Sequence, residues 1–265
     1  MDKLFKENFR TVDMNQQKNY SIKINFKIIL TFLFTYIILF EFILPYNKFL
    51  PKPGILYDSF IHIWKDYNIL IEIANSASAI YLPLFVTYVI LSFGSAFIPK
   101  FLNNYEILFK SFRVLSLLPL IFIIILIGFW FNNSLWGEFV LSFSAAMYFS
   151  LKCLYGEIKK VNEEYLLVAQ NLKLTPKDFS KQILWKSAKP NLLKEYIKIN
   201  NYLWSVVLVY EFIENINGLG IVYHSIYSYK DFVALFTLAI LNVLLIWIIN
   251  FIYKLILKKF FNQDI

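Results

Sequence analysis

The chain is predicted to be an all-α, polytopic membrane protein of about six transmembrane helices, and three observations predict it. First, 58% of its 265 residues are apolar and 20% aromatic, too little polar surface to coat a soluble globule of this size. Second, the apolar residues fall in runs of about 20, the length needed to cross a hydrocarbon core. Third, the period-2 alternation of a spanning β-barrel is absent.

Taken in order, the predicted spans are Phe26–Leu44, Ile71–Phe97, Phe112–Phe131, Leu135–Tyr155, Ile197–Phe212 and Phe232–Tyr253. Residues 1–25 form a basic, polar segment, too long before the first apolar run for a cleaved signal, so that run is expected to be a retained span. The second span opens amphipathically, with Glu72, Asn75, Ser76 and Ser78 in its first turns. The fifth is interrupted by Asn200 and Asn201. The sixth carries fifteen Val, Ile, Leu or Phe residues between Phe232 and Ile252. Their summed insertion free energy, about −5 to −9 kcal/mol, outweighs the cost of Asn242 and Asn250.

Charge placement sets the orientation. With the N-terminus inside, 22 of the 26 basic residues fall on cytoplasmic segments and only Lys48, Lys52, Lys65 and Lys230 fall outside. Both termini are therefore expected in the cytoplasm. Segments Pro45–Asn68 and Ile213–Asp231 are expected outside as loops. The net charge of +8 is accounted for by membrane-flanking lysines rather than by nucleic-acid binding. Cys153 is the single cysteine, so no internal disulfide forms, and at a helix end it fits a small apolar filler.

The longest polar stretch, Gly156–Tyr196, is itself helical in pattern. Val161, Tyr165, Val168 and Leu172 share one face. Thr175 is placed to cap a second helix, with Pro176 at its first position and Asp178 in its first turn. Phe179 and Ile183 share a face there, and Pro190 is expected to end or kink the run. Such a hairpin suits either an interfacial location on lipid headgroups, with Trp185 and the lysines, or docking to a soluble partner.

The run Tyr165–Phe179, with Ala169, Ile183 and Pro190 in register, resembles the cytoplasmic Glu-Ala-Ala loop of ABC-importer permeases. Leu50-Pro51-Lys52-Pro53, Asn75-Ser76-Ala77-Ser78, Leu118-Pro119-Leu120 and Glu211 ahead of Gly218-Leu219-Gly220 resemble, in the same order, motifs of the nitrate/sulfonate/taurine-type branch. The chain departs from the family pattern at Lys173, where the family has glycine, and at Leu167, where it has glutamate.

The resemblance implies a type I importer permease domain over residues 26–265, with a coupling loop at 156–196. It implies a cell (inner) membrane location, a cytoplasmic ABC ATPase dimer, a second permease copy and an external solute-binding protein. The solute implied is a small anion such as nitrate, a sulfonate or taurine, although the same type also carries vitamin precursors. Tyr165, Val168, Ala169, Leu172, Leu174, Phe179 and Ile183 are then the expected ATPase contacts.

Polar residues inside spans are the candidates for the solute path, because lipid penalises them: Asn75, Ser76, Ser142, Ser144, Asn200, Asn201 and Asn242. Interhelical hydrogen bonding explains such residues equally well. Glu41 is expected to snorkel at a span end, and Glu211 and Glu214 to lie at the outer mouth, within reach of a binding protein. His62 and His224 are isolated, and no metal motif or phosphate-cradling loop is present, so neither a cofactor nor catalysis by this chain is expected. A stand-alone secondary transporter or channel is the alternative; it is expected to show paired repeats or Gly/Pro-broken helices, which the sequence lacks.

Overall fold

A computed structural model describes residues 27–28, 30–32, 34–43, 50–97, 118–131, 134–160 and 174–261. Among them every regular element is helical. The elements are α1 (Leu30–Ile43), α2 (Pro53–Asp66), α3 (Ile69–Gly94), α4 (Leu120–Phe131), α5 (Leu135–Ile158), α6 (Pro176–Phe179), α7 (Trp185–Glu214), α8 (Leu219–Ser228) and α9 (Phe232–Phe261). Helices α3, α5 and α9 are long and apolar enough to cross a membrane. A fourth crossing is available if α6–α7 and α8, which meet at 52°, form one broken span. The chain is thus a multi-pass membrane protein with three to four described spanning helices.

The chain divides into two compact units, Met1–His62 and Ile63–Ile265. In the first, α1 closes with a π-helical turn at Ile38–Ile43. Tyr36 donates its hydroxyl to the Pro51 carbonyl at 2.5 Å, and the Gly54 N–H donates to Glu41 Oε2 at 3.3 Å. The Glu41 carboxylate, expected to snorkel into water, instead accepts at the first turn of α2, where a helix N-terminus favours an anion. The segment Pro45–Asn68, expected as a loop, contains the 14-residue α2.

The second unit is built around α7. Its buried residues, including Ala188, Leu192, Ile199, Leu203, Val207 and Tyr210, recur at the helical period, and α3, α5, α8 and α9 pack on them. On α5, Ser142, Ala146 and Ser150 are all fully buried and stand four residues apart. Small residues at that spacing let two backbones approach closely, the usual basis of helix association where lipid removes the hydrophobic drive. Neither Pro190 nor the Asn200-Asn201 pair breaks α7, which runs unbroken for 30 residues. The sixth predicted span continues two turns beyond Tyr253, to Phe261.

The opposite helix faces are apolar and uncovered. Phe93, Phe129, Val243 and Trp247 are each more than 60% exposed, which in a membrane is contact with acyl chains. Trp130 and Trp136 flank the α4–α5 connection, as interfacial aromatic anchors do. The 12 residues of α4 reach about 18 Å, short of the hydrocarbon thickness; the rest of its predicted span, 112–117, lies outside the described residues.

Two substitutions test which faces are covered. Ala146→Phe overpacks the buried face of α5 and should cost about 1–3 kcal/mol, read as a lower Tm in detergent. Val243→Ala, on a bare face of α9, should change stability by less than about 0.5 kcal/mol. Equal effects would refute the assignment of buried and lipid-facing surfaces.

Candidate functional site

Two polar constellations lie along α7. The first surrounds the break between α7 and α8. Helix α7 ends at Asn215, in the left-handed conformation at φ 56°, which asparagine tolerates. The chain then turns at Gly218, whose φ of +146° is open essentially to glycine alone. A Cβ there would also overlap the Glu211 carboxylate.

The turn aims the first amides of α8 at two acidic side chains and a serine. Gly218 N–H donates to Glu72 Oε2 at 2.6 Å, Leu219 N–H to Ser76 Oγ at 2.8 Å, and Gly220 N–H to Glu211 Oε2 at 2.7 Å. Ser76 Oγ in turn donates to Glu211, 2.6 and 2.9 Å from its two oxygens. Asn75 Nδ2 donates to Glu72 at 3.3 Å. A helix N-terminus leaves four N–H groups without intrahelical partners, and here α3 and α7 supply three of the acceptors. Glu138 of α5 is buried beside Glu211, and its Oε1 has no hydrogen-bond partner. Neither carboxyl belongs to an ion pair among the described residues. No described group of three or more His, Cys, Asp or Glu residues has a metal-holding arrangement.

The second constellation lies about three turns away along α7. Asn200 Nδ2 donates to Asn250 Oδ1 at 3.2 Å, and Asn250 Nδ2 donates to Asn201 Oδ1 at 2.7 Å, which ties α7 to α9. Beside these carboxamides, α3, α7 and α9 line a half-open cavity of about 230 Å³, at whose edge Phe85 is exposed. Its walls carry Tyr81, Tyr88, Tyr196 and Tyr253, together with Asn200 and Asn250; the remaining lining residues are Leu, Ile and Phe. Tyr253 donates to the Leu193 carbonyl at 3.1 Å, while the buried Tyr81 hydroxyl lies beside Asn200 and Trp204 and that of Tyr196 beside Ser150.

Comparisons of the chain with protein-family models, with curated proteins and with solved structures return no match. The functional argument therefore stands on the sequence and on this geometry.

Of the residues proposed for a solute path, the structure gathers Asn200 and Asn201 into the carboxamide chain, with only Asn200 on the cavity wall. Asn75 and Ser76 belong to the α7–α8 break instead. Ser142 is fully buried on α5, and Ser144 bonds the Leu141 carbonyl of its own helix at 2.9 Å. Asn242 is buried on α9 beside Tyr223. Glu211, expected at an accessible mouth, is fully buried as a capping group, a correction that follows from the amides it serves.

Of the proposed docking residues, Tyr165, Val168, Ala169 and Leu172 lie outside the described residues. Leu174, Phe179 and Ile183 are half-buried along α6 and the π-helical turn Ser180–Leu184. Thr175 caps α6 as its sequence predicts, accepting from Asp178 N–H at 3.2 Å, with Pro176 opening the helix. Ser180 donates to the Ser95 carbonyl, which fastens this turn to the end of α3.

Sequence reasoning passed over Glu138 and all four cavity tyrosines, and read Glu72 only as part of an amphipathic first turn. Glu138 was visible as a carboxylate inside a predicted span. The tyrosines were visible as Tyr81 and Tyr88 seven apart, Tyr196 four before Asn200, and Tyr253 three after Asn250, each pair on one helical face.

The break makes a direct prediction. Glu211→Ala leaves Ser76 and the Gly220 N–H without an acceptor and should cost about 1–3 kcal/mol, while Glu211→Gln, which keeps an acceptor oxygen, should cost less. Gly218→Ala should be at least as damaging as Glu211→Ala. Thermal unfolding in detergent reads all three; an unaffected Gly218→Ala would remove the strained turn from the account.

Proposed function

We propose that the chain is the membrane-spanning permease subunit of an ATP-driven ABC importer of the nitrate/sulfonate/taurine-type branch, with six spans and both termini in the cytoplasm. The observation that carries this reading is the continuity of α6, the π-turn and α7: one helical run from Pro176 to Glu214 joins the predicted coupling loop to both polar constellations. The ordered motif resemblance and the lysine asymmetry support the same reading.

On this reading the membrane is the cell (inner) membrane. Two permease copies meet a cytoplasmic ATPase dimer, and an external solute-binding protein delivers the solute. The ATPase engages the hairpin that ends in Leu174, Phe179 and Ile183. Its closure on ATP pushes α6, and α7 carries the displacement as a stiff rod into the spans. The permease itself binds and releases without making or breaking a covalent bond; hydrolysis belongs to the partner.

A second reading, a stand-alone transporter driven by protons, is favoured by one observation. Glu138 and Glu211 are neighbouring buried carboxyls on different helices, without a basic partner among the described residues, and intramembrane carboxyl pairs serve as proton relays elsewhere.

Co-expression with candidate ATPases separates the two. Phe179→Asp should abolish ATPase retention on purification while leaving membrane insertion intact, and a cysteine at Lys177 should label from the cytoplasmic side only. Transport indifferent to ATP and labelling of that cysteine from outside the cell would each defeat the permease reading.

A further inference from the structure

We propose that Glu138 is a neutral carboxylic acid at neutral pH, donating its proton to the Glu211 carboxylate and so binding one proton into the joint between α7 and α8. The proposal goes beyond both transport readings and holds under either, because it concerns the folded chain alone.

Glu211 is surrounded by donors. Ser76 Oγ stands 2.6 and 2.9 Å from its two oxygens, and Gly220 N–H donates to Oε2 at 2.7 Å. Ser76 has a single hydroxyl proton and already accepts from Leu219 N–H at 2.8 Å, so that proton is left for Glu211. Short bonds from two donors, together with the N-terminus of α8, favour the ionised form of this carboxyl. Glu211 is therefore the anion of the pair.

Glu138 has the opposite surroundings. It is 2% exposed, its carboxyl lies within hydrogen-bonding reach of Glu211, and its Oε1 receives no hydrogen bond. An ionised carboxylate only accepts, so two of them in contact would meet lone pair to lone pair. Like charges that close, away from water, do not both form. One proton removes both faults, since it makes Glu138 a donor to the acceptor already fixed at Glu211.

No cation among the described residues does this work instead. The titratable groups facing the pair are Tyr210 of α7, itself beside Glu214, and Glu72 of α3, none of them basic. Helix α4 carries no titratable residue. On α8 the rings of His224 and Tyr227 lie against Phe212, and Tyr223 faces Asn242. Neither glutamate joins an ion pair, and no described group of three or more His, Cys, Asp or Glu residues could hold a metal ion. A proton needs only the two carboxyls.

Infrared spectroscopy of the full chain at neutral pH, in a detergent free of ester groups, reads the proton directly. Wild type should show the carbonyl stretch of a protonated carboxyl. Glu138→Gln should remove it, whereas Glu72→Gln and Glu211→Gln, the latter still offering an acceptor oxygen, should keep it. Thermal unfolding from neutral to mildly alkaline pH gives a second readout. An exposed glutamate ionises at about pH 4.3, so the unfolded chain releases the proton that the folded chain holds. The folded state then binds one proton more, and stability falls as pH rises. Relative to Glu138→Gln, whose amide still donates, the wild-type folding equilibrium should weaken about tenfold per pH unit. Each variant is checked by gel filtration, and Glu138→Met, equally unable to ionise, takes the place of a misfolded Glu138→Gln. A wild type without the carboxylic-acid band overturns the proposal with no variant needed. So does an equal pH slope in wild type and Glu138→Gln, or a band that Glu211→Gln removes and Glu138→Gln keeps. Stabilisation of wild type but not Glu138→Gln by sodium or calcium chloride over choline chloride would overturn it in favour of a metal cation.

Discussion

A helix that breaks inside or beside a bilayer must find partners for its freed backbone groups, because no water is there to take them. At the break between α7 and α8 that constraint is met by side chains from other helices. Glu72 and Ser76 of α3 and Glu211 of α7 accept from three successive amides, Gly218 to Gly220. Glu211 is the joint of the arrangement: it ends one helix, caps the next, accepts from a third and lies beside Glu138 of a fourth. Burying a carboxylate is costly unless hydrogen bonds replace its water, and here the positive end of α8 helps to replace it. The packing of α3, α5, α7 and α8 therefore converges on one acidic side chain, and the position of α8 follows from it.

Because α7 is unbroken from Trp185 to Glu214, it extends about 45 Å and touches nearly every other described element of the second unit. Its near end differs in kind from its far end. Residues Ser180–Leu184 form a π-helical turn fastened to the end of α3 through Ser180 and Ser95, with Pro190 a few residues further on. Such turns are locally less well hydrogen-bonded than α-helix and are common where a helix must yield. The run thus joins a yielding base to a rigid shaft, which is what a lever needs.

The helical class, three or four of the six span positions and the cap at Thr175 were legible in the sequence, because each depends on local pattern: apolar length, helical period and turn chemistry. Helices α2 and α8 were not, since Pro53–Asp66 and Leu219–Ser228 are too short to register as spans and fall between longer apolar runs. The role of Glu211 was hidden for a different reason. A glutamate near a predicted span end suggests exposure, and only the arrival of Gly220 from nine residues away and Ser76 from 135 away makes it a buried cap. Asn200 and Asn201 suggested an interrupted span for the same reason; their cost in lipid is offset by Asn250, which lies on a helix no local window includes. Polar residues in membranes are readable as exceptions, but their partners are tertiary.

The two constellations on α7 stand about 16 Å apart along one helix, counting from Asn200 to Glu211, and their hydrogen-bond states differ. At the Glu211 end the amides of α8, Ser76 and Glu211 are joined across contacts of 2.6–2.9 Å. At the Asn200 end two carboxamide bonds of 3.2 and 2.7 Å tie α7 to α9 beside a half-open cavity. A dense network of short bonds resists reorganisation, since any shift forfeits bonds that lipid cannot replace; a cavity has fewer contacts to lose. On the proposed reading, the Glu211 end holds α8 in place. A displacement of α7 strong enough to disturb the cavity must then either strain the Glu211 cap or pivot about it. A pivot disturbs fewer bonds, so the cap is the expected fulcrum and the cavity the expected seat of change.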